Sequence, residues 1–172
     1  YGGGREAFDL LPEQDLPAGM IYVPTGRFLP AMAYFPVEAV PVEAFLIDRS
    51  EVSNLEFKDF VDAGGYSDTR FWTGLEFNNE GEQLDWEGAS ALMIDATGQP
   101  GPATWEFGSF KPGEDNHPVT GISWFEAMAY ARFREKSLPT ITHWSRAAYP
   151  PSEVAASLMP SIVKTSNFDR ET

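Results

Sequence analysis

Cysteine is absent from the 172 residues. That single fact excludes disulfides, cysteine-ligated metals and thiol nucleophiles on this chain. It leaves the compartment open, because an extracytoplasmic domain also folds without disulfides. Cations are scarce: Lys and Arg number 12 against 26 Asp and Glu, for a formal net charge of −14. A nucleic-acid binder draws its affinity from clustered cations that neutralise phosphate, so that class is excluded. Histidine occurs twice, as His117 and His143. No stretch approaches the roughly 20 apolar residues of a membrane-spanning helix.

What is present describes a globular chain. Apolar residues make up 42% and aromatics 14%, too rich for a disordered acidic polymer. The length fits one domain with one core. Fourteen prolines and 15 glycines are spread along the chain, which implies short elements separated by long irregular loops. The reading is α+β and irregular, with no internal repeat. Tyr1 and the run Gly2-Gly3-Gly4 open the chain without a signal-peptide pattern, so it is expected to be a processed product or a piece of something longer. Residues 1–16 read as an extension or linker and 17–172 as the domain. Negative charge concentrates in residues 1–102, consistent with a solvated face or with a partner or cation opposite it.

Two strands are legible, Gly19–Pro24 and Val42–Asp48, joined by a proline-rich connector through Pro30, Pro36 and Pro41. Ser53 with Glu56 forms a capping box, Val52 and Phe57 its hydrophobic staple, and Gly64-Gly65 the stop. Phe57, Phe60 and Val61 share one face of that helix and belong to the core. Ser123 with Glu126 opens a second helix, with Ala127, Tyr130 and Ala131 at helical spacing toward Lys136. Thr140 caps a third that runs to Ala148 and stops at Pro150-Pro151, with one or two further turns expected over Ser152–Leu158.

Chemical motifs are few. No serine sits in a nucleophile elbow, and no glycine loop has the strand and helix that cradle phosphate. His117 precedes a proline in a loop and His143 sits inside the third helix beside Trp144, and each reads as a surface or packed histidine rather than a ligand. Glu76, Asn78, Glu80, Gly81 and Glu87 fall at positions one, three, five, six and twelve of a calcium loop. Glu replaces the shorter Asp or Asn at two of those positions, and Trp72-Thr73-Gly74 and Trp86-Glu87-Gly88 are poor flanking helices. A solvated turn between extended segments is the better reading, with calcium the alternative. Trp105, Phe107 and Phe110 form an aromatic loop that can anchor a partner, the competing reading being that the rings cover a loop-rich core.

Several segments together resemble one family. Gly19-Met20-Ile21-Tyr22-Val23-Pro24-Thr25-Gly26-Arg27-Phe28 is similar to the opening strand of the formylglycine-generating enzyme, or sulfatase-modifying factor, family. Phe45-Leu46-Ile47-Asp48-Arg49-Ser50-Glu51-Val52-Ser53-Asn54 resembles its next strand and capped helix. His117 through Ala127 resembles its P-V-x-x-V-S-W-x-x-A helix start. Ser137-Leu138-Pro139-Thr140 with Trp144 and Ala147-Ala148 resembles its L-P-T-E-A-E-W-E-x-A-A stretch, although Ile141-Thr142-His143 stands where the family has acidic residues. Phe60–Tyr66 and Thr97–Trp105 are similar to a bacterial branch often fused to signalling kinases. The likeness covers residues 17–168 and the first half of a complete family domain, with Ser166-Asn167-Phe168 at the start of the middle region.

The resemblance implies a mixed fold, rich in irregular structure, distantly similar to C-type lectins and incomplete in this chain. It implies an activity in complete members, the oxidation of a sulfatase cysteine to formylglycine by oxygen and a copper ion held by two cysteines. Those cysteines and the calcium-binding motif belong to the other half of the family domain. No catalytic residue therefore carries over, and no cofactor is expected on this chain; copper and calcium enter only with that half. Nor can two histidines build the three-histidine iron site of the ergothioneine-synthase relatives. The expected function is a non-catalytic binding or scaffolding module within a larger protein or complex, with a protein partner. The alternatives are the N-terminal portion of the copper oxidase and the sensor domain of a bacterial kinase.

Overall fold

The computed structural model describes residues 16–28 and 40–148. The extension through residue 15, most of the proline connector, and everything from residue 149 lie outside the described residues. The described chain falls into two compact units, one within residues 16–49 and 139–148 and the other spanning Ser50–Leu138.

The first unit is a bent hairpin with one helix. Strands β1 (Met20–Val23) and β2 (Gly26–Phe28) face β4 (Phe45–Asp48) and β3 (Val40–Val42). Val23 pairs with Phe45 and Gly26 with Val42, so one antiparallel register runs through all four strands. The ladder breaks at Pro24-Thr25 against Glu43-Ala44. Pro24 has no N–H to donate, and the Ala44 N–H donates instead to Thr25 Oγ1 at 3.1 Å. The single strand expected over Val42–Asp48 is thus interrupted at Glu43-Ala44, with β3 ending at Val42 and β4 beginning at Phe45. Helix α4 (Ile141–Ala148) packs on β2 and β3. Its start matches the expected cap: the His143 N–H donates to Thr140 Oγ1. His143 sets its ring edge-on to Phe45, centroids 4.7 Å apart, and its Nδ1 lies 2.8 Å from Thr140 Oγ1. Gly26 lets the Arg146 guanidinium lie close, since a Cβ there would stand 2.6 Å from Nε and the side chain would have to shift.

The second unit holds the main core. It contains α1 (Asn54–Asp62), a 3-10 turn at Thr69–Phe71, the hairpin β5 (Phe77–Asn79) and β6 (Glu82–Leu84), α2 (Trp86–Ser90) and α3 (Trp124–Phe133). Both capping boxes form with both of their reciprocal bonds. The Ser53 backbone N–H, first, holds Glu56 below the usual carboxylate range. Helix α1 ends at Asp62, before Gly64 in the left-handed region at φ +78°. Helix α3 ends at Phe133, short of Lys136.

The two box-capped helix starts are brought close by backbone pairing. Val119 N–H donates to Val52 O, and Asn54 N–H to His117 O, at 2.9 Å each. From these starts α1 and α3 bury Phe57, Phe60, Ala129 and Tyr130 against one another and against Tyr66, Trp72, Phe77, Met93 and Trp105. Phe57 stacks on Tyr130 at 5.3 Å and meets Trp105 edge-on at 6.2 Å. Gly65 admits no side chain, since a Cβ would stand 2.1 Å from the Phe60 ring. Helix α2 departs from the reading of Trp86-Glu87-Gly88 as a poor helix. Asp85 caps it, accepting from Gly88 N–H at 2.8 Å, and its Ala89 enters the core.

Candidate functional site

Within the second unit, the stretch from Met93 to Phe110 is an irregular segment tied by hydrogen bonds. It is organised by Asp95, which is 4% exposed. Asp95 Oδ1 accepts from Thr97 N–H (2.8 Å), Thr97 Oγ1 (2.8 Å) and Gln99 N–H (2.9 Å), and Oδ2 accepts from Gly108 N–H (2.7 Å). Burial raises the carboxyl's pKa, but the bonds from Gly108, Gln99 and Thr97 outweigh it and hold the group at about 2. Asp95 is therefore a fixed anion that ties residues 97–99 to residue 108. Phe107 N–H donates to the Thr97 hydroxyl at 2.8 Å, and Ala96 N–H to Trp105 O at 3.0 Å.

The aromatic loop hangs on this knot. Glu106 and Ser109 exchange both backbone bonds, and Phe107 and Gly108 between them have φ +55° and +71°. That is the pattern of a two-residue I′ turn. Trp105, at 2% exposure, lies in the core and donates Nε1–H to Asn54 Oδ1 at 3.0 Å. Asn54 in turn donates to Glu114 O. Phe110 is partly buried, edge-on to Trp105 at 5.4 Å. Phe107 is 82% exposed. Of the three aromatic anchors expected from sequence, Trp105 is thus core and out of a partner's reach. Phe110 roots the loop, and only Phe107 projects.

A second buried polar pair stands beside the core. Glu126 is buried, accepting Ser123 N–H on Oε2 and the Tyr66 hydroxyl on Oε1 at 2.5 Å. Burial, and then the Glu126 carboxylate, push the Tyr66 phenol far above its ordinary range, so it stays a proton donor. Both groups of the pair are engaged in structural hydrogen bonds. An open depression of about 370 Å³ is lined by Asp59, Phe133, Arg134 and Glu135, which bring two carboxylates and a guanidinium to the surface rather than to an enclosed site.

The calcium-spaced residues occupy a hairpin. Asn78 lies in β5, with its Oδ1 accepting Gly81 N–H at 3.0 Å; Glu80 and Gly81 form the turn at φ +50° and +89°. Glu76 precedes β5, and Glu87 sits in the first turn of α2. Among the described residues no group of three or more His, Asp or Glu could hold a metal ion. His117 is exposed and His143 is packed. A copper ion of the kind the resemblance implies does not fit this chain, because no thiolate is available to hold it.

Asp95 had no place among the site residues expected from sequence, although Asp95-Ala96-Thr97-Gly98 carries its signal: an Asp two residues before a Thr and three before a Gly favours a side-chain-closed turn. Phe107-Gly108 carried another, since X-Gly between short extended runs favours an I′ turn.

Comparison with known proteins agrees with this loop-rich, mixed architecture. Residues 7–155 match the sulfatase-modifying factor enzyme 1-like domain. The chain belongs to this family, the one that includes formylglycine-generating enzymes. It is 31% identical over 162 residues to the formylglycine-generating enzyme of Thermomonospora curvata, covering 78% of this chain and 50% of that protein. It is 34% identical over 112 residues to hercynine oxygenase of Mycobacterium tuberculosis, covering 65% of this chain and 25% of that protein. The formylglycine-generating enzyme of Bos taurus is 31% identical over 147 residues, covering 74% and 38%. The chain thus spans half or less of the length of these relatives, which are enzymes, and contributes the N-terminal portion of the family domain.

Proposed function

We propose that this chain acts as a non-catalytic binding or scaffolding module built on the family fold. The carrying observation is chemical: the family's redox reaction, as the resemblance implies it, needs a thiolate pair for copper, and the chain has no cysteine. The buried polar groups support the same reading. Asp95, Glu126 and Tyr66 are held in bonds that fix loops and helix starts, leaving none of them in a cleft to act on a substrate.

A second reading has its own support. The alignment of 162 residues onto half of the Thermomonospora curvata enzyme fits the N-terminal portion of a copper-dependent oxidase. In that reading copper and calcium are held by residues outside this chain, and these residues position the fold around them.

One assay separates the two. A cysteine-containing sulfatase-type peptide is incubated in air with a cuprous salt and a thiol reductant, once with this chain and once with its complete native polypeptide. The peptide's mass is then followed. The module reading expects the cysteine to be recovered from both. Conversion to formylglycine by the complete polypeptide alone establishes the second reading; conversion by this chain contradicts both.

A further inference from the structure

Phe107 is costly where it stands. Its φ of +55° lies in the left-handed region, which favours Gly, Asn and Asp and which a bulky side chain occupies under strain. Its ring returns nothing to the interior, being 82% exposed. Yet its backbone is not loose. Phe107 N–H is bonded to Thr97 Oγ1 and Gly108 N–H to the buried Asp95, while Trp105 and Phe110 on either side are packed together. The loop's bonds thus hold the backbone from which one aromatic ring projects outward.

We propose that Phe107 is the anchor of an interaction surface and inserts into an apolar, cation-rimmed pocket on a protein partner. Strain held in place by surrounding structure marks a functional position. A ring carried on a backbone already held in place loses less freedom on docking than one on a loose loop, and buried aromatic anchors dominate interfaces. The chemistry of the surface selects the partner. A small apolar ligand needs a concave site, whereas this feature is convex. The Glu106 carboxylate, exposed beside the ring, opposes anionic lipid and nucleic acid. It favours a pocket rimmed by Lys or Arg, which would also steer the encounter. This inference rests on the binding-module reading and assigns that module its contact residue.

The test places a benzoyl-phenylalanine at position 107 of the complete native polypeptide in its host, with the photoadduct mapped by peptide mass spectrometry. The expected result is one adduct to another protein, at an apolar pocket bordered by Lys or Arg. Excess unlabelled wild-type protein should compete it away, and the Phe107→Asn protein should not. An adduct within the same polypeptide, an adduct to lipid, or none overturns the proposal. A second measurement reads the strain. Phe107→Asn creates the Asn-Gly pair that I′ turns favour, and is expected to raise the folded-to-unfolded ratio about threefold. A fall in that ratio would show that the ring serves the fold and would overturn the proposal. Peptide oxidation is read independently of residue 107, so failure of the module reading and failure of this inference are distinguishable.

Discussion

Asp95→Ala is expected to lower the stability of the chain by about 3 kcal/mol at neutral pH, measured by urea unfolding. The carboxylate accepts four hydrogen bonds from Thr97, Gln99 and Gly108, and it is nearly inaccessible to water. Alanine leaves those donors without their acceptor and unties residues 97–99 from the turn that carries Phe107. The pH dependence has a definite sign. The folded-state pKa is depressed to about 2, below the value of about 4 in an unfolded chain. The unfolded state therefore binds the proton more readily, and the contribution is complete above about pH 4 and lost as pH falls toward 2. Wild type should lose stability across that window, and Asp95→Ala should lack that component. A cost below about 1 kcal/mol would mean that the knot does not hold the loop.

Trp105→Ala is expected to cost more, about 3–5 kcal/mol, because a fully buried indole leaves a large cavity among Phe57, Phe110 and their neighbours. Trp105→Phe separates volume from hydrogen bonding. It keeps most of the ring but removes the donor to Asn54 Oδ1, and should cost about 1–2 kcal/mol. Asn54 opens α1 and also bonds Glu114 O, so the loss is felt where the two capped helix starts meet. Equal losses for the two variants in chemical denaturation would contradict a packing role for the indole.

Sequence made local features legible and left tertiary ones hidden. Ser53 with Glu56 and Ser123 with Glu126 were readable because a capping box closes within four residues. Phe57 and Phe60 were readable as core from their spacing on one helix face. The break between Val42 and Phe45 was not, because its cause lies across the hairpin, at a proline with no N–H to pair. Helix α2 escaped because its one cap, Asp85, precedes a glycine-containing turn with little intrinsic helical preference. Trp105 and Phe107 look alike in sequence. Only the knot at Asp95, whose partners are two to 13 residues away, turns one ring inward and the other outward. The family itself was legible from several motifs in order, since a capped helix start and a loop glycine constrain sequence more tightly than a surface does.

We propose that this chain does not itself hold the copper ion that the family resemblance implies. Cuprous-ion titration against a colorimetric chelator, under anaerobic conditions, tests it most directly. The account predicts that the chelator retains all of the copper, because no thiolate pair is present to compete. One equivalent of copper held by the protein would contradict it.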